Sequence, residues 1–90
     1  MARANLDGLE PILDELRVIP ELVEVNPGVF YVRRKPFLHF HVSSTARAAD
    51  VKNGPDWGDR IALPVGPLSK SATTKFVGEV KRRLATTLAG

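Results

Sequence analysis

The alternation in Phe37-Leu38-His39-Phe40-His41-Val42 constrains the fold of this 90-residue sequence more tightly than any other stretch. A period of two with unlike alternate positions describes a strand that has one face for a core and another for water or a ligand. Leu38, Phe40 and Val42 fall on the first face, and Phe37, His39 and His41 on the second. Such a strand needs neighbours to hydrogen-bond its backbone and a layer to cover its apolar side. The flanking sequence offers both.

The layer comes from the two ends. Leu6, Leu9, Ile12, Leu13 and Leu16 recur at helical spacing, with Asp14, Glu15 and Arg17 between them. Asp7 and Glu10 have the spacing of a partial capping box, Pro11 fits the first turn, and Pro20 stops the helix. Near the other end, Ser69 or Ser71 caps a final helix in which Phe76, Val80 and Leu84 align, with Val77 and Leu88 beside them. Lys81, Arg82 and Arg83 are expected late in that helix, where cations suit the dipole.

The neighbours come from the segments between. Leu22 to Val25 is an edge strand or a connector, ended by the turn signal Asn26-Pro27-Gly28. Val29 to Arg33 reads as a strand, Arg34-Lys35-Pro36 as a turn, and Ser43 to Ala46 as the turn into a strand over Arg47 to Lys52. Asn53 to Asp59 is a glycine-punctuated loop, and Arg60 to Val65 is a last strand that Pro64 marks as an edge or an end. The expectation is one α+β domain over residues 1–90, a two-layer sandwich. An antiparallel sheet of about four strands would carry both helices on one face and leave the other open.

Composition narrows the function classes. With no cysteine, a disulfide scaffold, a cysteine zinc ribbon and thiol chemistry are excluded. No apolar run has the length of a membrane span, and the first residues lack the apolar block of a signal peptide, so a cytoplasmic protein with no membrane partner is expected. Residues 1–28 carry two basic and six acidic side chains, and residues 29–90 carry eleven basic and four acidic ones. A basic half can attract nucleic acid, but in a chain this short the acidic first helix beside the basic last one would partly cancel it.

Register then decides which residues meet on the open face. Across the second turn, Leu38 faces Val51 and Phe40 faces Ala49 in the core, which sets His39 opposite Asp50 and His41 opposite Ala48. With Arg34-Lys35-Pro36 as the first turn, Tyr31 falls opposite His39, Val29 opposite His41, and Arg33 opposite Phe37. The expected site is therefore a row Tyr31–His39–Asp50, with Arg33, Phe37, His41 and Trp57 around it. Asp50 would fix the His39 tautomer and favour its charged form, as a general base requires. No serine or threonine is placed as a nucleophile, because Ser43 and Ser44 lie in the turn. Plain cross-strand polar pairing, worth a few tenths to about 1 kcal/mol per pair, accounts for the same residues without chemistry.

Two further readings use these residues. His39 and His41, at i and i+2, point the same way, and Asp50, or Asp56 or Asp59 from the loop, would complete a zinc site. No metal is expected from the pair alone, and no cofactor motif is present, since GPDWGD is too irregular for a phosphate loop. Tyr31, Phe37 and Arg33, with Arg34, Lys35 and Arg47 at the rim, are the ingredients of a single-strand stacking platform, although no RNA-recognition signature accompanies them. Trp57 folds back on the core edge or anchors an interface.

The sequence LHFHV followed by AADVK resembles small bacterial luciferase-like domains, in which an H-x-H strand precedes an A-D-[VI]-[KR] strand and a C-terminal helix. The likeness spans about Gly28 to Leu88. It implies a compact α+β domain in which His39, His41 and Asp50 are the matched positions, and it implies no light-emitting activity. The order of elements is also similar to a frataxin-like layout. The expectation from the residues themselves is a binding or protein-interaction module that uses the open sheet face, with a protein partner or a second copy as occupant. A small metal-dependent or His/Asp hydrolase and a single-stranded nucleic-acid binder are the alternatives.

Overall fold

The computed structural model describes Leu6 and residues 8–90. Helix α1 (Glu10–Arg17) is followed by strands β1 (Val23–Asn26), β2 (Val29–Val32), β3 (Lys35–Val42), β4 (Arg47–Asn53), β5 (Asp56–Trp57) and β6 (Ile61–Leu63), and then by helix α2 (Lys70–Ala89). Strands β1 to β4 form an antiparallel meander; β6 pairs with the start of β4 and the two-residue β5 with its end. The α+β architecture is the expected one. The sheet has six strands because Val23–Asn26 pairs as an edge and Asp56–Trp57 makes a short hairpin in the expected loop.

Each helix has a local cause. Pro11 lies in the first turn of α1, and Leu9 is its N-cap without a side-chain cap, while Glu10 accepts from the Gly8 N–H at 2.8 Å. The Asp7 half of the capping box lies outside the described residues. Ser69 caps α2 by accepting from the Ala72 N–H at 3.0 Å. That helix runs to Ala89, so Lys81, Arg82 and Arg83 lie in its middle, and its last turn carries no basic residue. The dipole argument for them therefore fails.

Both helices contribute to one core. Leu9, Ile12, Leu13 and Leu16 of the α1 region and Phe76, Val77, Val80 and Leu84 of α2 pack with Phe30, Val32, Leu38, Phe40, Ala49 and Val51 of the sheet. The alternate residues of the same strands, Val29, Tyr31, His39, His41, Ala48 and Asp50, are on the opposite face, which neither helix covers. Two buried arginines lock the layers. Arg83 donates to the Val51 and Asp59 carbonyls at 3.2 and 3.0 Å and pairs with Glu79 at 2.7 Å. Arg47, expected at the rim of a nucleic-acid platform, is 6% exposed and donates to the Pro64 and Gly66 carbonyls.

The first hairpin departs from the expected register. Its turn is Arg33-Arg34, at φ of 52° and 68°, which places Val32 opposite Lys35. Positive φ at both central residues is the turn geometry whose twist matches paired strands. Phe37 is then an extra residue between the pairs Tyr31↔Pro36 and Phe30↔Leu38. This β-bulge lets two consecutive side chains, Phe37 and Leu38, enter the core together. Burying a phenyl ring, worth roughly 1.5–3 kcal/mol, outweighs the lost ladder regularity.

Candidate functional site

The second hairpin has the expected register. Leu38 pairs with Val51, His39 with Asp50, Phe40 with Ala49 and His41 with Ala48. Its four-residue turn is held by Ser43, whose Oγ accepts from the Thr45 and Ala46 N–H groups at 3.4 and 3.1 Å. That hydroxyl belongs to the turn and not to any site.

On the uncovered face, His39, His41 and Asp50 form one cluster whose ligand-type atoms all lie within 4.8 Å of one another. The closest contact is not between the residues that face each other across the ladder. His41 Nε2 lies 2.7 Å from Asp50 Oδ2, whereas His39 Nε2 is 3.7 Å from it. Asp50 therefore binds the diagonal imidazole, a reach that long side chains have across neighbouring strands. The side chains are 33%, 43% and 21% exposed for His39, His41 and Asp50, so solvent and ligands reach all three.

Arg60, just before β6, completes the cluster. Its Nε and Nη2 donate to Asp50 Oδ1 and Oδ2 at 3.0 and 3.1 Å, a two-point clamp on the carboxylate. Nothing in the sequence signalled this contact, since Arg60 follows a loop of unknown course and becomes a neighbour only when β6 folds back onto β4. The Arg60 hydrogen bond, with that of His41, holds the Asp50 carboxyl down to about 2 against the opposing effect of burial. His39 is also pushed below its ordinary value, by burial first and then by the neighbouring His41 and Arg60, with Asp50 opposing. Asp50 does favour a charged His39, as expected, but burial first and then the neighbouring His41 and Arg60 outweigh the carboxylate at 3.7 Å.

Trp57 forms one wall. Its ring meets His39 edge-on, with centroids 5.1 Å apart, and the Lys52 ammonium lies 5.1 Å from the indole centroid. His39 and His41 are themselves edge to face at 4.5 Å. The remaining expected site residues separate. Tyr31 shares the face but pairs with Pro36 and Val23, leaving Val29 opposite His39, so the row Tyr31–His39–Asp50 does not form. Phe37 is 1% exposed, in the core. Arg33 sits in the turn and donates to the Leu88 carbonyl at 3.1 Å, at the end of α2. The bulge and the two-residue turn account for all three corrections.

The cluster lies apart from two surface grooves. One, of about 400 Å3, is lined by Val32, Arg33, Lys35, Lys52 and Thr87 among others. The other, of about 540 Å3, runs between β6 and α2 beside Ile61, Leu63 and Phe76. Neither includes a residue of the His/Asp cluster. No helix among the described residues is long and apolar enough to cross a membrane. Comparison with known proteins returns no family model, no curated protein and no solved structure that matches the chain.

Proposed function

We propose that this chain is a protein-binding module whose partner seats on the sheet face opposite the helices. The observation that carries the reading is the make-up of that face. Val23 and Trp57 remain 58% and 44% exposed there, Tyr31 pairs with Val23 further along the face, and Arg60 and Trp57 flank the His/Asp cluster. Tryptophan, tyrosine and arginine are the residue types that dominate binding energy at protein interfaces. A second copy of the chain is one such partner, with Val23, Val29 and Tyr31 as its apolar contacts and Phe37 contributing nothing.

The other two readings have less support. A stacking platform for single-stranded nucleic acid needs exposed aromatics and uncommitted cations. Here Phe37 is buried, Arg47 is tied to carbonyls, Arg60 to Asp50, and Arg82 and Arg83 to Glu79. A His/Asp hydrolase with a side-chain nucleophile needs a hydroxyl beside the base, and the Ser43 hydroxyl is engaged in its own turn.

Photo-crosslinking in cells tests the reading. A benzophenone side chain at Val23 or Trp57 should yield discrete protein adducts, while the same group at Lys75 on α2 should not. Adducts of equal yield from all three positions, or none from the first two, would refute it. Sedimentation velocity over a hundredfold concentration range then decides whether the partner is a second copy.

A further inference from the structure

Metal coordination needs donors that converge from separate backbone positions, and the uncovered face supplies them. His39 and His41 lie two residues apart on β3, so their rings project on the same side, and Asp50 on β4 is directly across from the first. We infer that His39, His41 and Asp50 form a binding site for a first-row transition-metal dication, with Zn2+ as the simplest occupant. The inference goes beyond a protein-binding role and does not depend on it.

Distances make the case. Tetrahedral bonding at zinc's usual bond lengths to nitrogen and oxygen places neighbouring donor atoms roughly 3.3 Å apart. The Asp50 oxygen stands 3.7 Å from His39 Nε2 and 2.7 Å from His41 Nε2, values on either side of that separation. Turning side chains by about half an ångström reaches it, with no change in the backbone ladder. The third separation, between the two imidazoles, is bounded at 4.8 Å, so their rings must rotate toward each other to close a gap of up to about 1.5 Å. Two imidazoles and one carboxylate suit zinc and its neighbours in the series and do not suit calcium or magnesium, which require oxygen donors.

The surroundings fit as well. Arg60 holds both Asp50 oxygens. With the metal on Oδ2, the guanidinium keeps Oδ1 and orients the carboxylate, as outer partners of metal ligands do. Trp57 stands edge-on against His39 and restricts the swing of that ring. Binding replaces the His41–Asp50 hydrogen bond. The proton on His41 Nε2 moves to Nδ1 through solvent, and the ion exchanges three of its waters for the three side chains. Its outer positions face water and stay open to a further ligand.

The test uses untagged protein and the metal alone. Calorimetric titration with Zn2+ should give one ion per chain with a dissociation constant on the order of micromolar, set by three donors without a closed fourth. His39→Ala, His41→Ala and Asp50→Asn should each weaken binding by at least about thirtyfold. Asp56→Asn and Asp59→Asn, the loop carboxylates, should change it less than about twofold. Because Asp50→Asn also releases Arg60, the wild type supplies an independent readout: amide resonances broadened by substoichiometric Cu2+ should centre on residues 39, 41 and 50. Stoichiometry below one, millimolar affinity, affinity retained in Asp50→Asn, or broadening centred elsewhere would each overturn the inference.

Discussion

Phe37 and Leu38 are adjacent in the chain, yet both side chains lie on the helix side of the sheet, 1% and 0% exposed. A regular strand would send them to opposite faces. The bulge that brings them together also shifts Tyr31 from His39 to Pro36, so one local irregularity edits both the core and the open face. Phe37→Ala should therefore cost about 3–5 kcal/mol of unfolding free energy, as large-to-small core substitutions do. Tyr31→Ala, on the partly exposed face, should cost less than about 1.5 kcal/mol. Urea denaturation of the two variants checks this, and equal costs would contradict the bulged register.

Gly58 and Arg83 are packed together closely enough to exclude a methyl group. A Cβ on Gly58 would lie 2.7 Å from Arg83 Nη1 and 3.1 Å from the Val51 carbonyl oxygen. The guanidinium is held by two carbonyls and Glu79, so it has nowhere to retreat. Gly58→Ala should destabilise by about 1–3 kcal/mol, the usual cost of overpacking. Gly78, exposed within α2 and with open space where a methyl group would stand, is the contrast. Gly78→Ala should stabilise by about 0.5–1 kcal/mol through helix propensity alone. Thermal unfolding should move in opposite directions for the two.

The turn at Arg33-Arg34 holds two non-glycine residues at positive φ, of 52° and 68°. Each carries a steric cost of roughly 1–2 kcal/mol that glycine does not. Arg34→Gly relieves one of them and leaves the Arg33 bond to the Leu88 carbonyl intact. A net gain of about 0.5–1 kcal/mol is expected once the greater freedom of glycine in the unfolded chain is subtracted. A fall in melting temperature would show that the Arg34 side chain contributes more than its backbone costs.

Acid sensitivity should follow Glu79. The Arg82 guanidinium, and then that of Arg83, hold its carboxyl down from an ordinary 4.5 to about 2. A carboxylate depressed on folding contributes stability above its unfolded value, and that contribution is lost as pH falls from 4.5 toward 2. Glu79 is partly exposed and screened, so its share of the loss is modest. Unfolding free energy measured from pH 6 to pH 2 should fall less steeply in Glu79→Gln than in the wild type. The remaining slope belongs in part to Asp50, which is held equally low by Arg60.

The sequence by itself determined the two helices, the β3–β4 hairpin and the placing of His39 and Asp50 as partners on an uncovered face. Each of these rests on a local pattern, period 3.6 or period 2, that the core then enforces with a single register. Capping followed the same logic, as Ser69 shows. The strand Val23–Asn26 and the two residues of β5 carried too little pattern to be called strands until partners were in place.

Only the tertiary structure decided the rest. The Arg33-Arg34 turn was hidden because two arginines at positive φ are locally unfavourable, and the cost is met elsewhere, by seating Phe37 in the core. Arg60 reached Asp50, and Arg83 reached the carbonyls of β4 and the following loop, through contacts that link positions far apart in the chain. The choice of His41 over His39 as the imidazole held by Asp50 is of the same kind. It depends on ring rotation, on Trp57 at one side and on Arg60 at the other, none of which leaves a periodic trace in the sequence.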